Sequence, residues 1–206
     1  MFTGIVETTG RVTAIEAEGT NLTFTVESSL APELKVDQSV SHNGVCLTVT
    51  SVRANQYTVT AVDETLRKTN LGGVQIGHRV NLERCMPANG RFDGHIVQGH
   101  VDQTGRCTNV QDLDGSWLYD FAYDTPGGAS DANVTVEKGS ICINGVSLTV
   151  FNSTDNTFRV TIIPYTYEHT TFSDLRVGDV VNLEFDIVGK YIKKMLAGYS
   201  VPVGLV

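Results

Sequence analysis

The chain repeats itself. NGVCLTV at 43–49 returns as NGVSLTV at 144–150, and longer blocks flank both copies in the same order. FTGIVETTGRVTAI (2–15) aligns with VQGHVDQTGRCTNV (97–110) at an offset of 95, sharing Gly4/Gly99, Val6/Val101, Thr9/Thr104, Gly10/Gly105 and Arg11/Arg106. SVSHNGVCLTV (39–49) aligns with SICINGVSLTV (140–150), and the block from Tyr57 to Glu83 aligns with that from Phe158 to Glu184, both at an offset of 101. Self-similarity of this kind constrains a fold before any local propensity does, and it reads here as a tandem duplication of a unit of about 90 residues. The six extra residues of the second copy are expected in the stretch holding Gly115, Trp117 and TPGGASD, as a surface loop. Two domains follow, with a boundary near MPANGRFDG (86–94): 1–88, 89–186 and a tail at 187–206.

Each copy carries the signals of strands. LTFTV, CLTVTSV, YTVTAV and RVNLE alternate with period two, are rich in Val and Thr, and are punctuated by Gly and Asn. Short strands at this spacing predict a small closed barrel in each half. Asn43-Gly44 and Asn144-Gly145 have the chemistry of two-residue hairpin turns, since both residues tolerate positive φ. DETLRKTNL and YTYEHTTFSDL each have room for one helical turn. Only IVGKYIKKMLAGY (187–199) shows a helical stripe, formed by Ile187, Val188, Tyr191, Ile192, Met195, Leu196 and Tyr199. That helix lies outside both repeats and can cover its own barrels or serve assembly.

Composition excludes several classes of function. With a formal charge of −8 and no basic run, the footprint of a nucleic-acid or anionic-membrane binder is missing. MFTGIVETTG has no basic region followed by an apolar stretch, and no stretch approaches the roughly 20 apolar residues that span a bilayer. A cytoplasmic protein is expected. Cys46, Cys85, Cys107 and Cys142 form no C-x-x-C pair, which argues against a zinc site and predicts free thiols. Neither G-x-G-x-x-G nor a P-loop lysine motif is present.

In the repeated phrase, Val45, Leu47 and Val49 point to one side of a strand and Cys46 and Thr48 to the other. A lone cysteine is most often a small buried hydrophobe. Its counterpart here is Ser147, so a shared hydrogen bond to something polar explains the pair better. His100 stands opposite Ile5 in the block alignment, and an imidazole suits proton transfer near pH 7. His95 and His100, five apart, would face opposite sides of a strand and make a poor metal pair. Glu64-Thr65, with Tyr165-Thr166 as counterpart, reads by spacing as a helix cap with a solvated carboxylate. Asp63 and Asp102 read as surface carboxylates.

Taken together, MFTGIVE, SVSHNGVCLTV, DETLRKTNLG, GHIVQGHVD, INGVSLTV, IIPYTYEHTTF and VNLEFDIVGKY resemble the riboflavin synthases of the alpha-chain, two-barrel type, in order and over essentially the whole chain. The resemblance implies an all-β fold of two tandem six-stranded antiparallel barrels plus a C-terminal helix that assembles a homotrimer, and catalysis without metal or redox cofactor. It implies dismutation of 6,7-dimethyl-8-ribityllumazine, with an active site between the N-terminal barrel of one subunit and the C-terminal barrel of another. It also allows association with lumazine synthase. Carried across residue by residue, the implied N-terminal site uses Gly4, Ile5, Val6, Ser39, Cys46, Leu47, Thr48, Thr60, Ala61, Val62, Asp63, Glu64 and Thr65. The implied C-terminal site uses Gly99, His100, Val101, Lys138, Ser147, Leu148, Thr149, Ile163, Pro164, Tyr165, Thr166, Tyr167 and Glu168. Ser39, Cys46 and His100 are the implied catalytic groups. Tyr165 and Tyr167 stand where smaller or different residues are common in the family, and Asp93 replaces a frequent glycine. A non-catalytic lumazine or flavin carrier on the same duplicated barrel is the alternative.

Overall fold

A computed structural model describes residues 1–125 and 133–196. In the first half, β1 (Thr8–Glu18), β2 (Asn21–Glu27), β3 (Ser39–His42), β4 (Val45–Arg53), β5 (Gln56–Ala61) and β6 (Arg79–Arg84) close into an antiparallel barrel of order β1-β2-β5-β4-β3-β6. The second half repeats the order with β7 (Gln103–Asp112), β8 (Trp117–Tyr123), β9 (Ser140–Ile143), β10 (Val146–Thr149), β11 (Thr157–Ile162) and β12 (Val180–Phe185). This second sheet is nearly closed. β10 has four residues where β4 has nine, and only the bridge between Phe151 and Arg159 joins its last edge.

The alternation read from sequence decides what fills each barrel. Val45, Leu47 and Val49 are buried with Phe24, Val59 and Leu82 in the first core. Val146 and Val150 are buried with Tyr119, Phe121, Phe158 and Phe172 in the second. Both Asn-Gly pairs adopt positive φ, at 47° and 82° for Asn43 and Gly44 and at 46° and 80° for Asn144 and Gly145, as the tight hairpins require. The short helices α1 (Asp63–Lys68) and α2 (Pro164–His169) follow β5 and β11. Glu64 is no cap: Val62 holds that position, and the Glu64 carboxylate pairs with Lys68 one turn on.

The two hairpin tips meet on the pseudo-twofold axis. The backbones of Gly44 and Gly145 touch, so that a Cβ on Gly44 would sit 2.9 Å from the nitrogen of Gly145. Around them the Asn81 amide donates to Asn144 O at 2.8 Å and the Asn182 amide to Asn43 O at 2.9 Å. Asn70 N and Thr171 N donate in turn to the Oδ1 atoms of Asn182 and Asn81. A buried polar network so fully paired specifies one relative placement of the barrels.

Strand pairing also relocates the insertion. Arg11 pairs Glu27 as Arg106 pairs Ala122, and Leu22 pairs Ala61 as Trp117 pairs Ile162, so the offset stays at 95 through β8 and becomes 101 at β9. The extra residues therefore lie between Tyr123 and Ser140, not at Gly115 or Trp117. Most of TPGGASD falls outside the described residues.

The helix expected at 187–199 is described as α3 (Ile187–Leu196). Its apolar stripe is exposed: Val188, Tyr191, Ile192, Met195 and Leu196 are all more than half accessible. It does not cover the barrels of its own chain. No described helix is long and apolar enough to cross a membrane.

Candidate active site

The two halves exchange their leading segments. Residues 2–7 and 97–102 are not strands of their own repeats; Phe2 and Val97 pair with each other between the barrels. Beyond that crossing, Gly4 O accepts from Ser147 N at 2.7 Å, and Gly99 O accepts from Cys46 N at 2.8 Å. Val6 packs on the second core and Val101 on the first. Gly4, Ile5 and Val6 therefore belong with Ser147, Leu148 and Thr149, and Gly99, His100 and Val101 belong with Cys46, Leu47 and Thr48. This corrects the grouping taken from sequence, in which each segment served its own half.

GHIVQGH is also not a strand, so the spacing argument for His95 and His100 does not apply. His95 turns back onto the second half, its Nδ1 lying 2.6 Å from the hydroxyl of Ser147. Burial lowers the affinity of its imidazole for a proton. It is therefore held neutral near pH 7, with a nitrogen lone pair or N–H aimed at Ser147. His95 is the main candidate for the site that sequence reasoning missed.

In the first half-site Cys46 sits half-buried, two residues before the outward Thr48. Burial pushes its thiol up from the ordinary value, and the neighbouring Ser39 hydroxyl pulls less strongly the other way. Near neutral pH Cys46 is a thiol and a hydrogen-bonding group rather than a thiolate. Ser39 is placed by β3, directly across from Thr48 on β4. The exposed His100 follows Gly99, whose carbonyl accepts from Cys46 N.

The remaining candidates divide by role. Leu47 and Ala61 are buried in the core of the first barrel. Thr60 shares a hydrogen bond with Thr23 at 2.8 Å. Val62 is exposed at the start of α1, and Asp63 and Glu64 are engaged by Arg67 and Lys68 on the helix surface. The Thr65 carbonyl is taken by the Thr69 hydroxyl. In the other half Ile163, Pro164, Tyr165 and Glu168 are exposed around α2, and the Thr166 carbonyl is taken by Thr170. Tyr167 stacks on Trp117 with ring centroids 3.8 Å apart. Lys138 joins the end of β10 through its backbone, Lys138 N donating to Val150 O at 2.9 Å, one residue past Thr149, with its ammonium over the Phe151 ring. Asp102 is no surface carboxylate, because it accepts from Phe185 N and pairs with Lys190 at 2.6 Å with only 19% of its side chain exposed.

A groove of about 790 Å³ runs past Ile5, Ser39, Cys85 and the linker residues Met86 to Asp93. A larger one, about 940 Å³, lies between the barrels beside the asparagine network and is lined by none of the candidate residues. Among the described residues no group of histidine, cysteine and carboxylate side chains is arranged to hold a metal ion.

Comparison with known proteins finds relatives along nearly the whole chain. The lumazine binding domain profile matches twice, at residues 3–85 and 98–186. The chain is 42% identical to the riboflavin synthase of Actinobacillus pleuropneumoniae over 95% of its own length and 90% of the relative's. It is 41% identical to that of Bacillus subtilis (strain 168) with the same coverage, and 42% identical to that of Mycobacterium bovis over 95% and 98%. Among solved structures, LumP complexed with 6,7-dimethyl-8-(1'-D-ribityl) lumazine superposes with a TM-score of 0.80 at 18% identity, covering 90% of this chain and 99% of that one. LumP complexed with riboflavin gives 0.81 at 20%, covering 90% and 100%. Those two likenesses speak to the fold alone. With both repeats matched and the relatives aligned nearly end to end, the chain belongs to the riboflavin synthase family of duplicated lumazine-binding domains.

Proposed function

We propose that this chain catalyses the dismutation of 6,7-dimethyl-8-ribityllumazine, transferring a four-carbon unit between two molecules to give riboflavin and 5-amino-6-ribitylaminouracil. The observation that carries the reading is the pair of unequal half-sites. One bonds Cys46 to Gly99, the residue before His100, with Ser39 on the neighbouring strand; the other sets Ser147 against His95. A carrier needs one ligand site, whereas a dismutation needs two that treat the same molecule differently.

Mild groups suffice for the proton transfers, because a methyl carbanion on the lumazine ring is delocalised into the heterocycle. Holding two substrates face to face contributes more, up to roughly 7–11 kcal/mol of the barrier. Ser39, Thr48, Ser147 and Thr149 orient rings and ribityl chains, and Cys46 and His100 act in proton transfer or nucleophile activation. Purified protein given the lumazine alone is expected to form riboflavin and the aminouracil in equal amounts; tight binding without turnover would establish a carrier. His100→Ala should lower kcat by about 10² or more, with lumazine affinity little changed. Cys46→Ser, which installs the letter of the second copy, should lower it less. Wild-type kcat in both variants would remove Cys46 and His100 from the chemistry.

The half-sites are open to solvent: Ile5, Val62, Ile163 and Tyr165 are between 46% and 67% exposed. A second protomer facing them would exclude water and bring two lumazines together. The bare stripe of α3 supports a homotrimer assembled through that helix. Ile192→Glu with Met195→Glu is expected to reduce the mass in solution to that of a monomer, and a persistent trimer would assign assembly elsewhere. Association with lumazine synthase is an expectation that rests on the family resemblance alone.

A further inference from the structure

We propose that Glu184, Asp102 and Lys190 are positioning residues that hold His100 in the first half-site from the second barrel and from α3. The inference rests on the function proposed above and adds to it how the exchanged segment is kept in place.

Glu184 lies on β12, buried, with its backbone paired to Cys142. Its carboxylate takes three consecutive backbone donors: Gln98 N at 2.6 Å on one oxygen, and Gly99 N and His100 N at 2.9 Å each on the other. A buried carboxylate without donors is costly, and charge-assisted bonds to it are short and strong, so the loop and the glutamate fix each other. One residue past Val101, Asp102 is fastened to Phe185 N at 2.9 Å and to the ammonium of Lys190 at 2.6 Å. The segment from Gln98 to Asp102 is thus anchored at both ends to β12 and its following helix, while the group it presents, His100, serves the other barrel.

The duplication supplies a control inside the same molecule. In the first copy Glu83 takes Thr3 N at 2.6 Å, the Thr3 hydroxyl at 2.8 Å and Gly4 N at 3.0 Å. Glu7, which aligns with Asp102, accepts from Arg84 N at 2.7 Å. The cation on Glu7 is the side chain of Arg84 itself, at 2.6 Å. The residue aligned with Arg84 is Phe185, whose ring is in the second core, and the missing cation is supplied by Lys190 from α3. One device therefore stands in two versions. Only the version that carries His100 depends on the C-terminal helix.

The two clamps predict opposite lesions. Wild-type protein, Glu184→Gln, Glu83→Gln, Lys190→Met and Lys190→Arg would be compared by steady-state turnover of the lumazine, by hydrogen exchange of peptides covering 2–7 and 97–102, and by fluorescence of the single tryptophan, Trp117, which reports the second half-site through Tyr167. Glu184→Gln and Lys190→Met are expected to lower kcat between about 10- and 100-fold with KM within about twofold, the loss that a displacement near 1 Å produces. Exchange in 97–102 should rise by about tenfold or more, leaving 2–7 protected. The lumazine-induced change at Trp117 should survive in both, and Lys190→Arg should retain turnover. Glu83→Gln should invert the pattern, exposing 2–7 and weakening the Trp117 response. A merely structural role would lower the melting temperature of all the damaging variants without separating the two segments; unchanged exchange at 97–102, or equal effects of both glutamine variants on both segments, overturns the proposal. If Glu184→Gln does not accumulate folded, Asp102→Asn cuts the same loop from its other end and is judged by the same readouts. If the wild type itself turns over no lumazine, the proposed function fails, and the clamp stands or falls on hydrogen exchange.

Discussion

A single methyl group added at Gly99 is expected to cost about two orders of magnitude in turnover. Gly99 has φ of +78°, where an L side chain is strained by roughly 1–2 kcal/mol. The larger obstacle is space. A Cβ there would lie 2.6 Å from the Cβ of Cys46, 2.8 Å from the ring of Phe2 and 3.1 Å from the nitrogen of Cys46. Neither a strand backbone nor a wholly buried ring yields cheaply. The loop must lift away from β4, breaking the bond from Cys46 N to Gly99 O and carrying His100 with it. Misplacing a reacting group by about 1 Å costs about 10²-fold, so Gly99→Ala should fall into that range in kcat. Gly19→Ala is the matched control, since it also has positive φ but no atom within 4 Å of the added carbon. Its melting temperature should drop slightly and its turnover hold. Gly99→Ala protein with kcat within threefold of wild type would show that close contact between loop and strand is not needed for the chemistry.

That contact is also what the sequence did not disclose. Aligning the chain with itself established which residues are equivalent, and the alternation in CLTV and SLTV separated core from surface correctly, because period two follows from strand geometry alone. The hairpins at Asn43-Gly44 and Asn144-Gly145 were legible for the same local reason. Equivalence does not say on which copy a segment packs. Gly4 and Gly99 align, yet each rests on the other's barrel; Glu83 and Glu184, remote in sequence, hold the two segments, and Phe2 and Val97, far apart in the chain, pair where they cross. Asp102 reads as solvated because its partner, Lys190, lies in a helix outside both repeats. Strand spacing misjudges His95, in a stretch that forms no strand. In each case the missing information is a tertiary contact with no periodic signature.

Acid should destabilise the first barrel in a way the second does not share. His42 is buried in β3 with Nδ1 donating to Val40 O at 3.0 Å, which leaves Nε2 to accept from the Tyr57 hydroxyl at 2.7 Å. Both ring nitrogens are used by the neutral imidazole, and burial lowers its pKa from 6.5 to about 4, the bonds to the backbone opposing only in part. The folded-state value lies below the unfolded one, so as pH falls from 6.5 toward 4 the unfolded chain takes up a proton that the folded one refuses. Stability contributed by neutral His42 is complete above pH 6.5 and is lost by about 1.4 kcal/mol per pH unit across that window, on the order of 3 kcal/mol in all. Glu83 and Glu184, raised by burial, act with the opposite sign as pH falls, so the total curve mixes several groups. The duplication again provides the reference, since Ile143 and Phe158 occupy the positions of His42 and Tyr57 in the second barrel. The double variant His42→Ile, Tyr57→Phe removes the titrating group without leaving the Tyr57 hydroxyl unpaired in the core. Denaturant unfolding at pH 7, 5 and 4 should show the variant gaining on the wild type by about 3 kcal/mol between the first and the last. Parallel curves for the two proteins would mean that His42 accepts its proton in the folded barrel as readily as in the unfolded chain.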